Sequence, residues 1–215
     1  MKKLHLLTTL AIAASLAAAQ ADNVALVTLR DGKDKTPRQF ALEFCESEAP
    51  ATVENFQKLA RKKFYNGLAI HRAFPHTLVQ MGDPLSRHKD RTHIGTGGPG
   101  YTLPAEIRRK HVKGAVAAAR LPDKINPARL SNGSQFYVCL APQPGYDGQY
   151  TVFAHVIWGL DTLDALSTKP VDSNDNPIGR IVIRSVKIMP REELPPAPVL
   201  APPSPPPKKR WWKLF

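Results

Sequence analysis

The stretch Ile70–Gly82 reads IHRAFPHTLVQMG. It falls across two short strand-like runs, Leu68–Phe74 and Leu78–Met81, on either side of Pro75-His76-Thr77. A His–Arg pair, a second histidine and a glutamine stand inside an otherwise apolar run. Such a strand offers a fixed cation and an amide. Within it stands no carboxylate, serine or cysteine with which to attack a substrate.

The same short-strand pattern recurs on both sides. Val24–Leu29 (VALVTL) and Gln39–Phe44 (QFALEF) are rich in β-branched and aromatic residues, with the turn-like RDGKDKTPR between them. Pro50–Lys63 then changes period: Val53, Phe56, Leu59 and Ala60 recur at helical spacing. Pro50 suits a first helical turn, and Lys and Arg crowd the far end, where the helix dipole favours cations. Further strands read at Ala115–Ala119, Gln135–Leu140, Thr151–Ile157 and Arg180–Ile188. GLDTLDALS (Gly159–Ser167) spaces its leucines as a second short amphipathic helix. Many short strands with two helices predict a mainly β fold, a closed or nearly closed antiparallel barrel capped at its ends. The segments Pro84–Gly114 and Leu121–Ser134 are rich in Gly, Pro, Asn, Lys and Arg, and loops of that length are usually functional.

The ends of the 215-residue chain read differently. Residues 1–21, MKKLHLLTTLAIAASLAAAQA, show a charged start, an apolar stretch and an Ala19-Gln20-Ala21 cleavage pattern, which predicts an export signal. The style is bacterial, so the expected destination is the periplasm where the cell has an outer membrane, and the exterior otherwise. The domain is expected over residues 22–190. Residues 191–215 follow as an extended tail, and nine of the 21 prolines lie from Pro190 onward. The tail ends in KKRWWKLF, a basic and aromatic mixture suited to an anionic membrane surface. The formal charge of +12 fits anionic lipid or wall polymer better than nucleic acid for an exported chain. Cys45 and Cys139 both fall in strand-like segments and read as buried free thiols rather than a bridge.

A second stretch, SNGSQFYVCLA (Ser131–Ala141), joined to IHRAFPHTLVQMGD, resembles the paired signature of cyclophilins, the peptidyl-prolyl cis-trans isomerases. TVENF (Thr52–Phe56), GTGGPGYTLPAEI (Gly95–Ile107), GAVAAAR (Gly114–Arg120) and YDGQYTVFAHV (Tyr146–Val156) match in the family's order, so the resemblance spans about residues 24–190. It implies a closed eight-stranded antiparallel β-barrel capped by two α-helices, acting on Pro-containing polypeptides as a monomer and without a cofactor. That would explain a site with no nucleophile, because isomerisation breaks no bond.

The resemblance also implies roles for single residues. Arg72 matches the donor that serves the prolyl nitrogen. Gln80 matches the residue that hydrogen-bonds the substrate backbone and helps to position that arginine, and His71 matches one lining the same face. Ala119, Arg120 and Leu121 fall where main chain pairs with the bound peptide. Gln135 matches a polar side chain of the groove, and Tyr137 an aromatic of the proline pocket. Leu78 and Tyr146 match further apolar walls, and Tyr150 stands where animal members carry His. Two positions depart from the family: Thr77 replaces the usual Phe, and Gly145 replaces the Trp that meets cyclosporin in animal members. Thr77 favours a rival reading, a cyclophilin-like binding module with little turnover. His88, His93 and His111 sit in loops where nothing supports metal binding.

Overall fold

The computed structural model describes residues 23–197, apart from Lys33, Lys35 and Lys89. The expected signal segment and the KKRWWKLF end lie outside the described residues. No helix among the described residues is long and apolar enough to cross a membrane.

Eight strands and two helices follow one another as β1 (Asn23–Asp31), β2 (Arg38–Phe44), α1 (Pro50–Arg61), β3 (Arg72–Phe74), β4 (Leu78–Met81), β5 (Ala115–Ala118), β6 (Phe136–Cys139), β7 (Val152–Trp158), α2 (Leu160–Ser167) and β8 (Ile181–Pro190). All eight strands pair antiparallel in one sheet, in the order β3-β4-β6-β5-β7-β2-β1-β8. The mainly β architecture with two helices is therefore present, but closure is not. The sheet is an open half-barrel with β3 and β8 at its edges. The reason lies in the expected strand Leu68–Phe74, which divides between two partners. Its first part lies along β8, where Ile70 N–H donates to Ile181 O at 2.9 Å and Ile183 N–H to Leu68 O at 2.7 Å. At His71, whose N–H donates to Gln80 O, the chain changes allegiance, and only Arg72–Phe74 forms a ladder with β4.

Alternation along the strands sends successive side chains to opposite faces. On one face Phe40, Phe56, Tyr65, Phe136 and Phe153 anchor the main core. The Phe56 ring lies 5.0–5.5 Å from those of Tyr65, Phe136 and Phe153, in tilted and edge-on geometries. The buried face of α1, with Val53, Phe56, Leu59 and Ala60, covers this core. Burial of one Phe-sized side chain contributes about 1.5–3 kcal/mol. Ala49 cannot cap α1, so Glu106 does so from the long loop: its carboxylate accepts from the N–H groups of Ala51 and Thr52 at 3.0 and 2.9 Å. Gly159 opens α2 with φ 80°, and a Cβ there would lie 2.3 Å from Gln39 O. No other residue fits that turn without moving β2.

The opposite face carries a smaller cluster. Leu78, Ala115, Ala117, Tyr137, Cys139 and Val152 are buried there, with Phe74, Ala119, Tyr146 and Tyr150 packed against them. Cys45 and Cys139 are free and buried. Of the expected tail, Arg191–Glu193 forms one 3-10 turn directly after β8, and Arg191 pairs with Glu43.

Candidate active site

The smaller cluster forms the floor of a groove, and four aromatic rings make its wall. Tyr137, Tyr146 and Tyr150 meet pairwise with centroids 5.3–5.9 Å apart, and His111 stacks on Tyr137 at 6.0 Å. His111 is buried, and its Nδ1 lies 3.2 Å from Asp147 Oδ1 while its Nε2 lies 3.0 Å from the Tyr137 hydroxyl. Burial holds this imidazole below its usual range, with Asp147 partly offsetting the shift. A neutral ring has one N–H, and the carboxylate can only accept. Nδ1–H therefore donates to Asp147, and Nε2 accepts the Tyr137 proton. Burial raises Tyr137 far above a phenol's ordinary value, which keeps that proton in place.

Arg72 and Gln80 stand directly opposite one another across β3 and β4, as do Phe74 and Leu78, so all four share the groove face. Gln135 donates from Nε2 to the carbonyls of Gly95 and Gly97 at 3.0 and 2.7 Å, which leaves its Oε1 to accept from Gln80 Nε2 at 2.9 Å. The Gln80 Oε1 then has no donor among the described residues. Asp83 steadies the far end of this relay by accepting from the N–H groups of Gly95 and Gly97. The guanidinium carbon of Arg72 lies 5.0 Å over the Phe74 ring, and its Nη2 lies 3.8 Å from Asp175 Oδ2. Gln80 thus does not hold Arg72 by a hydrogen bond in this state.

Thr77 lies in the β3–β4 turn, and its hydroxyl folds back to donate to Pro75 O at 3.0 Å. The aromatic wall on this side comes instead from Phe74. The turn itself is tied to α2: His76 N–H donates to Ser167 Oγ at 3.0 Å, and its Nδ1 lies 2.9 Å from Asp164. Gly145 has open space around it.

Ala119 is satisfied within the protein, its N–H donating to Gln135 O at 2.9 Å and its carbonyl accepting from Asn132 N–H at 2.8 Å. The main-chain N–H and C=O of Arg120 make no hydrogen bond among the described residues. Its side chain is only 3% exposed: Nε donates to Gln149 O at 2.8 Å, the guanidinium carbon lies 4.7 Å over Tyr150, and Asp123 pairs with Nη1. Leu121 is exposed and, with Ile125 and Leu130, lines a cleft of about 260 Å³ that continues the groove past Gln80 and Gln135.

His71 is the expected site residue that the groove does not include. It is buried at 2% exposure behind the sheet, lining a small interior space with Ser86, His88, Arg91 and Arg180. Burial pushes its pKa down to about 4. It supports the strand from within and presents nothing to a substrate. Among the described residues no three His, Cys, Asp or Glu side chains converge as a metal site. His111 and Asp175 are not among the residues that the sequence points to at the site.

The family model described as cyclophilin type peptidyl-prolyl cis-trans isomerase/CLD matches residues 31–188. A peptidyl-prolyl cis-trans isomerase of Synechococcus elongatus is 41% identical over 113 residues, covering 52% of this chain and 69% of the relative. The peptidyl-prolyl cis-trans isomerase-like 3 of Gallus gallus is 38% identical over 146 residues, covering 67% and 86%. The crystal structure of a Cryptosporidium parvum cyclophilin type peptidyl-prolyl cis-trans isomerase superposes with a TM-score of 0.66 at 26% identity, covering 78% of this chain and 97% of the other. A second structure of that protein, in the presence of the dipeptide Ala-Pro, gives 0.64. With its eight antiparallel strands, its groove opposite the core and a family match across most of its length, the chain belongs to the cyclophilin-type peptidyl-prolyl cis-trans isomerases.

Proposed function

We propose that the groove binds Pro-containing extended polypeptides and that Arg72 lowers the isomerisation barrier. That barrier is amide resonance, about 18–20 kcal/mol, and it makes the uncatalysed step take about 10–100 s. In the twisted transition state the prolyl nitrogen regains a localised lone pair. A guanidinium donor near that nitrogen binds the twisted form better than either planar one, which is the differential that catalysis needs. Arginine suits the task because its charge is permanent and its fork rigid. The proline ring would rest among Phe74, Leu78, Tyr137 and Tyr146. The open N–H and C=O of Arg120 would pair with the peptide's main chain, as an added strand does.

The observation that carries this reading is the placement of Arg72 opposite Gln80 at the rim of an aromatic pocket, with the Gln80 Oε1 left open. Replacement by alanine tests it. Arg72→Ala should lower kcat/KM by at least about a hundredfold, or about 2.7 kcal/mol of transition-state stabilisation, with an unchanged circular dichroism spectrum. Turnover near that of the wild type would remove Arg72 as the donor, and a wild type without turnover would leave the binding-module reading.

The clients proposed are exported proteins whose folding waits on proline. The support is the signal pattern of residues 1–21 alone. N-terminal sequencing of protein recovered from outside the cytoplasm should begin at Asp22, and an intact Met1 in all fractions would remove this part of the proposal.

A further inference from the structure

Asp175 reaches the site from the loop between α2 and β8. That loop is firmly built: the Asp172 carboxylate accepts from the N–H groups of Asn174 and Asn176 at 2.9 and 3.1 Å, and Val171 bridges to Pro177. Arg91 buckles it from outside, with Nη1 at 3.3 Å from Asp172 Oδ2 and donating to Pro177 O at 2.9 Å. The loop covers the open edge of β3, where Ala73 N–H donates to Asp175 O at 3.0 Å. Asp175 itself adopts φ 62°, a left-handed conformation that Asp tolerates better than most residues. Main-chain pairing beside Arg72 therefore fixes where the carboxylate stands, and the Arg72 fork meets it at 3.8 Å. The same fork lies over Phe74 and leaves the Gln80 Oε1 without a donor, although Gln80 is the residue directly across the ladder.

We infer that Asp175 is a positioning residue that parks the Arg72 guanidinium at the rim, between its own carboxylate and the Phe74 ring. Productive catalysis requires the fork to leave this station for Gln80 Oε1 and the prolyl nitrogen. The inference rests on the reading of Arg72 as the donor. Both side chains are nearly half exposed, at 47% and 40%, so the station is a weak one. An exposed pair of this kind shifts a population by no more than about fivefold.

The test compares wild type, Asp175→Asn and Arg72→Ala, using an uncharged Ala-Pro peptide followed by exchange NMR. Asp175→Asn keeps the side-chain shape and the tolerance for φ > 0. It should raise kcat about two- to fivefold with little change in KM, because parking competes with a contact made at the transition state. Raising salt from about 20 to about 500 mM should speed the wild type and leave Asp175→Asn flat, since screening weakens only the charged station. The Arg72 Nε–Hε resonance should shift and its order parameter fall in Asp175→Asn, a change that a merely structural role for Asp175 would not produce. An unchanged resonance together with unchanged kcat would overturn the parking inference alone. A fall in kcat would overturn it too, by making Asp175 a brace. Full activity in Arg72→Ala would overturn the donor reading and this inference together.

Discussion

The Tyr137 hydroxyl ends on His111 Nε2 in an interior closed to water. Tyr137→Phe would keep the ring in the pocket and strand that nitrogen. An unsatisfied buried acceptor costs about 1–3 kcal/mol, so urea unfolding should show a loss of that size while kcat/KM stays within a few fold. Unchanged stability would mean that His111 is satisfied elsewhere. Arg72, Gln80, Gln135 and Tyr137 were legible because they lie inside two short, distinctive stretches. His111 was not: it meets Tyr137 across 26 residues of sequence and Asp147 across 36, and a lone histidine in a basic loop carries no local signal. Asp175 is hidden in the same way, since its relation to Arg72 exists only once β8 and β3 have both been placed. Alternation puts Phe74 on the face of Arg72, two residues along the same strand, where it supplies the aromatic wall that Thr77 does not.

Elements with a clear hydrophobic period were legible to within a residue or two. β4 spans Leu78–Met81 as its sequence suggests, and α2 follows the spacing of Leu160, Leu163 and Leu166. Pairing is not a local property, and so the division of Leu68–Phe74 between β8 and β4, which leaves the sheet open, was not visible. The connection after β5 shows another non-local feature, the buried Arg120 side chain. It ties its own connection to the Gln149–Tyr150 segment by holding Gln149 O and covering Tyr150, and it pairs with Asp123, which Arg129 also grips at 2.8 Å. Arg120→Lys would keep the charge and lose both the fork and the stacking. A cation–π contact of about 0.5–1 kcal/mol corresponds to about two- to fivefold in affinity. The expected outcome is a KM raised by that factor with kcat nearly unchanged, because the lost contact orders a wall of the pocket and does not touch the reacting amide. Steady-state kinetics on a single Pro-containing peptide decides it, and a fall in kcat with constant KM would contradict this role.

For the whole molecule, buried imidazoles tie stability to pH. His71 binds a proton only near pH 4 when folded, against 6.5 for a free imidazole, and His111 and His155 are shifted the same way by burial. Above the unfolded value both states are neutral and nothing is lost. As pH falls from about 6.5 towards 4 the unfolded chain takes up protons that the folded one refuses, so His71 alone removes about 3 kcal/mol across that window. Urea midpoints at pH 7 and 4.5 should show the drop, and His71→Gln should flatten it. A flat wild-type profile would show that His71 is protonated in place. The two faces of the sheet carry a separate consequence. In β6, Phe136 and Val138 enter the core while Tyr137 and Cys139 floor the groove. The ladder therefore works like a reading frame shared by two messages, and a single inserted residue would garble both at once, turning rings of the core into solvent and the groove's phenol into the interior. Length can vary only where no frame is kept, in connections such as residues 121–134, so new specificities in such a chain can come from longer loops and exchanged side chains but not from lengthened strands.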